Sequence, residues 1–477
     1  MSPSSKFHRI REALRKPAEA RSLTEKTLIS GALITTETVA STLVRIVSSL
    51  VLTRLLGPDV FGAAVVLLLA QYILAMLTDL GIRSLIFVSD NNGDPNFLRT
   101  CWTLAILRGA ILGASMVCIG IVLYQLQQQS FFQGESVYRN EDLPGVMAAL
   151  GLQFLILGFA STNEFVYEKH FRMRLVVIIK ILQQVTTTVV CIIAALIYPS
   201  IWAIGIGMVT SAAVRTALTH CLLDGPRMKP RWQKEHVAEL VSRGKWVASH
   251  SILYLFSATA DQILFSIFLP AQGLGLYYLA KQIISIPAQF AEKLNSSLTL
   301  QFFVELKERM DVEAFRKKYY RYRVPYDIVL AVCSGGALIA GPTVIDILYD
   351  PRYASAGQIL QILAVGLPLT AFSIIGGAFN AYRQFRIMAV FYACKTVAIW
   401  AGLIVALVYY ENETAAFAVV SLHRLVEVVA MLLVARARSW VSILQEARIV
   451  PLFAVGMGLG WVFLEVWGSL RMLMGGL

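Results

Sequence analysis

Asp261 stands near the middle of a stretch apolar enough for a membrane helix, HSILYLFSATADQILFSIFLP, residues 250–270. An unpaired charge in hydrocarbon costs about 2.5–3.5 kcal/mol on insertion scales, so a carboxylate there is a candidate functional group. His250 and Tyr254 precede it at helical spacing. The carboxylate could bind a sodium ion or take a proton, and it could equally close a salt bridge. We predict an ion-coupling or gate role for Asp261 and His250.

A second polar stripe lies in the first apolar stretch, at steps of three, four and three residues: Thr38, Ser41, Arg45 and Ser48. Such spacing places side chains on one face of a helix. A guanidinium binds phosphate oxygens in bidentate fashion and stays charged at any working pH, so Arg45 is a candidate phosphate contact. Ser41 and Tyr254 are further candidate substrate contacts. Alternatively Arg45 forms an ion pair with Glu37 or Asp261, and Glu37 is predicted to share the gate role.

The stretch 273–300 carries a third stripe, within a sector of roughly 80° at 100° per residue: Tyr278, Gln282, Ser285, Gln289, Lys293 and Ser296. Amides and a lysine on one face do not suit lipid, and Pro287 favours a kink. This pattern predicts a helix that borders a water-filled cavity. Tyr278, Gln282, Gln289 and Lys293 are therefore candidate substrate contacts, although Lys293 could instead snorkel to the cytoplasmic surface.

The composition requires a membrane around these stripes. Of 477 residues, 57% are hydrophobic and 15% are charged, more apolar surface than a soluble chain of this length can bury. Thirteen apolar runs are long enough to cross about 30 Å as helices: 27–53, 59–80, 100–125, 145–167, 174–197, 201–222, 246–269, 273–300, 324–347, 356–379, 385–409, 414–435 and 449–470. The sequence predicts an all-α polytopic membrane protein.

The net charge of +12 reflects topology rather than a nucleic-acid partner. Basic residues concentrate in segments that lie on one side of the predicted spans: 6–26, 169–174, 227–245 and 307–323. The positive-inside bias therefore places these segments, and the N-terminus, in the cytoplasm. We predict a multi-pass membrane protein with no nucleic-acid partner.

The two halves of the chain share a pattern: LTRLLGPDVFG, 52–62, aligns with LFSIFLPAQGLG, 264–275, with Gly62 on Gly275. Six spans separate the two stretches, so the halves are predicted to be parallel repeats about a central cavity, an arrangement known in transporters. The predicted domains are a cytoplasmic N-terminus, an N-lobe with spans one to six, a cytoplasmic linker, a C-lobe with spans seven to twelve, and a C-terminal segment with one extra span: 1–26, 27–222, 223–245, 246–437 and 438–477.

Other charged residues in the spans have simpler interpretations. Arg424 and Glu427 lie three apart on one helix and are predicted to neutralise each other. Five more basic residues lie within or at the edges of spans, and some are expected to snorkel: Arg108, Lys180, Arg215, Lys281 and Lys395. The histidines and cysteines show no metal-ligand spacing and no CxxC pair, so we predict no cofactor beyond a proton or sodium coupling ion.

Several stretches together resemble one family: TRLLGPDVFGAAVV, DLGIRSLI, DQILFSIFLPAQGLGLYYLAKQI and PTVIDILYDPRYASAGQILQIL. They are similar to the Wzx-type polysaccharide flippases of bacterial inner membranes, over about residues 25–440, so the resemblance implies a location in a bacterial inner membrane. The resemblance implies a superfamily that also contains multidrug exporters and peptidoglycan-precursor flippases, with twelve to fourteen helices in two lobes. The unpaired thirteenth span departs from this pattern. Either that count is wrong, or the last segment lies at the membrane surface.

The resemblance implies that the substrate is an undecaprenyl-pyrophosphate-linked oligosaccharide, moved from the inner to the outer leaflet for exopolysaccharide or O-antigen assembly. Alternating access of the two lobes would carry it, with membrane lipids, a polysaccharide polymerase and assembly proteins as partners. The nearest alternative is a multidrug or cation-coupled exporter of the same superfamily. A membrane glycan polymerase or ligase is the enzymatic alternative, but the longest outer loop, 126–144, gathers no catalytic set.

Overall fold

The computed structural model describes residues 23–78, 81–88, 94–132, 134–237, 255–309 and 312–475. The helices in these ranges, numbered α1 to α18 in chain order, are Leu23–Leu55, Pro58–Leu77, Ile82–Val88, Pro95–Gln128, Leu143–Gly158, Asn163–Lys169, Met173–Ile197, Ile201–Leu222, Ala260–Phe268, Ala271–Arg309, Val312–Leu348, Ala356–Ala364, Ser373–Ala381, Phe385–Ile404, Glu413–Leu422, Arg424–Ala437, Ile443–Glu446 and Ile449–Gly475. The predicted all-α membrane fold is confirmed.

Among the described residues, ten helical segments are long and apolar enough to cross a membrane. The pair α5 and α6, bent by 61°, would be an eleventh. Two of the thirteen predicted spans do not appear among these segments. The first, 246–269, lies partly outside the described residues, and the second, 273–300, is part of the 39-residue α10. The polar stripe of α10 lowers its hydropathy below that of its neighbours.

The first compact unit comprises Met1–Leu56 and Val66–Leu255. Its helix α7 packs against both α1 and α8, and α4 packs along α5. A small apolar core joins α3 to α4 and contains Ile86, Phe97 and Leu98, each at most 2% exposed. This core holds the short α3 beside α6, which follows the bend after α5.

The second compact unit comprises Gly57–Val65 and Phe256–Leu477. It contains the first residues of α2 and all of α9 to α18. Several of its helices are interrupted: α14 ends in a π-helical turn at Val405–Tyr409, and His423 separates α15 from α16. Breaks at membrane depth are tolerated where protein, rather than lipid, satisfies the freed backbone groups. Such breaks are therefore candidate positions for polar sites.

The predicted extra span at the C-terminus is helix α18, which packs along α11. The two backbones approach closely at glycines: a Cβ on Gly335 would collide with the carbonyl oxygen of Phe453, and a Cβ on Gly456 with that of Val332. Small residues allow membrane helices to pack at short range, where dispersion drives association. The last segment is thus an integral part of the second unit rather than a loose surface helix.

We expect Gly456→Ala to lower the stability of the chain by about 1–2 kcal/mol, because the added methyl group pushes α18 away from α11. Gly458 provides a matched control on the same helix, since a Cβ there meets nothing within 4 Å. Gly458→Ala should leave stability unchanged or raise it by up to about 1 kcal/mol through helix propensity. Thermal unfolding of the purified chain in detergent measures both. Equal effects at the two positions would contradict a close seam.

Candidate functional site

Asp261 lies at a break within its span. Residues 255–258 are helical, Thr259 interrupts the helix, and α9 begins at Ala260. Asp261 is therefore in the first turn of a half-helix, where it is 3% exposed and accepts a hydrogen bond from the backbone N–H of Gln262. The positive end of a helix dipole stabilises an anion at this position. The carboxylate is buried, and its main compensation must come from other side chains.

Two side chains of α10 supply that compensation. The ammonium of Lys281 and the hydroxyl of Tyr277 both donate to Oδ2 of Asp261. Tyr277 is fully buried, and its ring packs edge-on against Phe265 at 4.6 Å and stacks on Phe417 at 5.8 Å between centroids. The aromatic rings exclude water from one side of the pair. Of the alternatives that the sequence leaves open for Asp261, the described contacts are those of an ion pair.

Two further cation–carboxylate pairs lie in the same unit. Lys395 Nζ is 3.7 Å from Glu427 Oε2, and Arg424 Nη2 is 3.5 Å from Glu292 Oε1. The predicted pairing of Arg424 with Glu427 is therefore wrong, because each residue has a tertiary partner on another helix. Together with Asp261 and Lys281 these residues make three acids and three bases. The cluster has no net charge.

His423 lies near all three pairs. It occupies the break between α15 and α16 and interacts with Asp261, Arg424 and Lys395. Its Nδ1 lies 2.8 Å from the backbone carbonyl of Val420, which fixes the ring within the turn. The charged cluster thus spans two interrupted helices, α9 and the α15–α16 pair, together with α10 and α14. In a membrane unit, such a cluster is a default candidate for function.

The polar stripe predicted on α10 continues beside this cluster. Four of its side chains are partly buried: Tyr278, Gln282, Ser285 and Gln289. Gln289 Nε2 donates to Ser285 Oγ, and Ser285 Oγ donates to the backbone carbonyl of Gln282, each at 2.8 Å. The side chain of Lys293 lies outside the described residues. At 100° per residue, Lys281 lies about 40° and Glu292 about 20° beyond one edge of the stripe. These two charged residues therefore lie beside the polar face of α10.

The candidates on α1 make short local contacts. Ser41 Oγ donates to Glu37 Oε1 at 3.3 Å, and Arg45 Nη2 donates to Thr42 Oγ1 at 3.3 Å. Arg45 is exposed in its unit, whereas Thr42 is buried. The structure thus keeps the predicted stripe together on one helix. Two other predicted site residues, His250 and Tyr254, lie outside the described residues.

The first unit holds two buried glutamates that the sequence interpretation missed. Glu164, 3% exposed, pairs with Arg215 at 3.1 Å. Glu168, 7% exposed, pairs with Arg83 at 2.7 Å and with Lys180 at 2.9 Å. Both glutamates lie on α6, after the 61° bend. Their i,i+4 spacing in NEFVYEK was the available signal, but hydropathy assigned this segment to the end of an apolar span.

The described residues contain no group of three His, Cys, Asp or Glu side chains that could hold a metal ion.

Residues 51–356, more than half of the chain, match the family model described as polysaccharide biosynthesis protein. The chain belongs to this family. The family predicted from the sequence is confirmed.

One curated relative of this polysaccharide biosynthesis protein is distant in sequence. It is 22% identical over 256 residues to the teichuronic acid biosynthesis protein TuaB of Bacillus subtilis (strain 168), a match that covers 52% of this chain and 51% of TuaB. The chain thus matches about half the length of that curated relative.

Two solved structures share the fold across most of the chain. The lipid II flippase MurJ in an inward closed conformation has a TM-score of 0.67 at 9% identity, covering 92% of this chain and 100% of MurJ. An inward-facing multidrug resistance MATE family transporter of the MOP superfamily has a TM-score of 0.65 at 14% identity, covering 84% and 94%. The family, the shared fold and the ten apolar helical segments together indicate a multi-pass membrane protein.

Only part of the charged cluster of this polysaccharide biosynthesis protein lies within the residues that match the family model. Asp261, Tyr277, Lys281 and Glu292 lie within the matched residues, whereas Lys395 and the α15–α16 residues lie beyond residue 356. The cluster is therefore assembled in three dimensions from the matched and the following parts of the chain. Neither part of the chain alone contains all the residues of the cluster.

Proposed function

We propose that this protein moves an undecaprenyl-pyrophosphate-linked oligosaccharide from the inner to the outer leaflet of a bacterial inner membrane, for exopolysaccharide or O-antigen assembly. The observation that carries the proposal is the polar face of α10 in a membrane protein of the polysaccharide biosynthesis family. Lipid tails offer no partners to glutamine amides and tyrosine hydroxyls, whereas a sugar chain does. Hydroxyl-rich glycans suit such a face better than apolar drugs do.

In this proposal the charged and the neutral predicted site residues contact different parts of the substrate. Arg45 and Lys293 contact the pyrophosphate, because a cation that can donate several hydrogen bonds suits phosphate oxygens. The remaining candidates contact sugar hydroxyls: Ser41, Tyr254, Tyr278, Gln282 and Gln289. The prenyl tail stays in lipid throughout. Glu37 and His250 remain candidates for the gate.

Alternating access of the two units is the transport cycle that we propose, and the membrane potential can drive it. The sequence contains no GxxxxGK[ST] motif for ATP binding. An anion that leaves an inside-negative cell gains about 2.3 kcal/mol per charge per 100 mV. The two phosphates of the substrate therefore supply a driving force of their own. The N-terminus lies in the cytoplasm in this orientation, and a polymerase on the far side would consume the product.

Arg45→Ala tests the proposal. In cells that depend on this protein, we expect the variant to stop polymer export while lipid-linked intermediates accumulate on the cytoplasmic side. Arg45→Lys should retain part of the activity, because it keeps the charge but loses the bidentate geometry. Polymer yield and leaflet-resolved labelling of the lipid-linked sugars measure the effect, and the amount of protein in the membrane is measured in parallel.

Arg54→Ala is the matched control, since Arg54 is an exposed arginine at the end of the same helix. It should export normally. Normal export by Arg45→Ala would remove Arg45 from the mechanism. Export of cationic drugs with no effect on polymer would favour the multidrug alternative, and formation or cleavage of a glycosidic bond by the purified protein would favour the enzymatic one.

A further inference from the structure

We propose that the ammonium of Lys281 is a tethered cation, which fills at Asp261 a site that would otherwise bind a monovalent metal cation such as sodium. The inference concerns a binding site and does not depend on which substrate the protein carries. It narrows the roles open to Asp261, because a site that holds its own cation needs no ion from solution.

The first step is the demand for a positive charge. The side chain of Asp261 is 4% exposed, at the first turn of α9. A buried carboxylate without a cation is strongly unfavourable, and the partial charge of a half-helix terminus compensates only part of that cost. One full positive charge must therefore lie beside it. In the described structure that charge is the Lys281 ammonium.

The second step is that the other cations cannot replace it. Lys395 and Arg424 each have a carboxylate partner, Glu427 and Glu292 respectively. Because the three pairs are balanced, removal of the Lys281 charge leaves the cluster with one uncompensated negative charge at Asp261. An ion or a proton from solution must then supply the missing charge.

The third step is the set of oxygen atoms that would receive an ion. Asp261 Oδ2 already accepts from Tyr277, so a carboxylate oxygen and a phenol oxygen converge where the ammonium now lies. Hard monovalent cations bind to such oxygen atoms. Tyr277 is held rigidly between Phe265 and Phe417, so its oxygen stays in place when Lys281 changes. Access remains open, because the Lys281 side chain is 31% exposed.

The test uses the full-length chain in detergent, with sodium chloride compared against choline chloride at equal ionic strength. The natural protein should melt within ~1 °C in the two salts, since its site is filled. Lys281→Ala should melt lower in choline and recover at least ~3 °C with sodium in a saturable manner. Direct binding of radioactive sodium should approach one ion per chain for Lys281→Ala and stay at background for the natural protein.

Three further variants make the outcome decisive. Asp261→Asn combined with Lys281→Ala should lose the sodium response. Lys395→Ala should show none, because Arg424 lies one turn from Glu427 on α16 and can pair with it, which leaves only Glu292, a carboxylate that is 53% exposed and needs no bound ion. Lys281→Gln serves if Lys281→Ala does not fold, since its neutral amide leaves the same uncompensated carboxylate.

The proposal is overturned if the natural protein itself binds sodium at this site. It is also overturned if the Lys281 variants respond to pH but not to sodium, which would mean that a proton at Asp261 or at the neighbouring His423 supplies the charge instead. A transport defect of Arg45→Ala is measured separately, so failure of the proposed transport function leaves this binding result intact.

Discussion

Asp327→Asn should destabilise the second unit by about 3–5 kcal/mol, the usual cost of removing one partner from a buried ion pair. The side chains of Asp327 and Arg323 are both 0% exposed and pair at 3.0 Å between Oδ1 and Nε, one turn apart on α11. The other oxygen of Asp327 pairs with Arg448, 2.5 Å from its Nη2. Asp327 therefore pairs with two arginines: Arg323 of α11 and Arg448 of the loop before α18.

The surroundings of Asp327 leave little room for relaxation. Arg323 also pairs with Glu446 of α17 at 2.5 Å, donates to Tyr319 at 2.8 Å, and lies 4.0 Å above the ring of Phe372. Two carboxylates balance two arginines in this cluster. Asn in place of Asp327 leaves the two arginines with one carboxylate, Glu446, and Arg323, whose side chain is 0% exposed, cannot turn to water. The expected result is loss of α17 and α18 from their positions on α11.

Thermal unfolding and limited proteolysis in detergent measure this effect. The matched control is Asp350→Asn, because Asp350 also pairs with an arginine, Arg352, at 2.8 Å, but that pair is partly exposed. Asn retains the cap that Asp350 provides for Pro351–Tyr353, so the control should cost at most about 1 kcal/mol. Similar losses at the two positions would show that burial does not determine the cost.

The polar stripes were predictable because their spacing is local. A step of three or four residues determines which side chains share a helical face, whatever the helix packs against. The stripes on α1 and α10 therefore follow from the sequence, and Asp261 was recognised because a carboxylate among apolar residues is costly. The extra helix at the C-terminus was visible for the same reason, as a run of apolar residues.

The pairings were not predictable, because they are tertiary. An i,i+3 contact between Arg424 and Glu427 contributes only about 0.2–0.5 kcal/mol, so a partner on another helix readily displaces it. Lys281 could be interpreted as a snorkelling residue until α9 and α10 were placed together. Glu164 and Glu168 were overlooked because hydropathy averages over a window and gives no sign that the helix bends after α5. Asp261, Arg424 and Glu427 lie next to breaks in their helices. A hydropathy average does not show where a helix breaks, so it could not predict these sites.

Gly62→Ala and Gly275→Ala should each cost about 3 kcal/mol, the upper end of the usual range for overpacking, because the added methyl group meets backbone rather than flexible side chains. A Cβ on Gly62 would collide with the carbonyl oxygen of Ala271, and one on Gly275 with that of Pro58. The first turns of α2 and α10 therefore touch backbone to backbone within the second unit.

This contact is reciprocal in the predicted repeat alignment. The offset that places Gly62 on Gly275 also places Pro58 on Ala271, so each glycine meets the residue that corresponds to the other one's partner. Two-fold related elements make contacts of this kind across their axis. The parallel-repeat arrangement of the two halves stays a prediction, and the reciprocal contact gives one way to test it.

Reciprocity predicts a specific result for the double variant. Either methyl group alone forces the same two backbones apart, so the second adds little, and Gly62→Ala with Gly275→Ala should cost much less than the sum of the singles. Gly273→Ala is the control on α10, since a Cβ there lies 3.4 Å from Pro270, an ordinary contact. Thermal unfolding of the four variants gives the coupling. Simple additivity would mean that the two glycines serve separate contacts, which would contradict a single reciprocal contact.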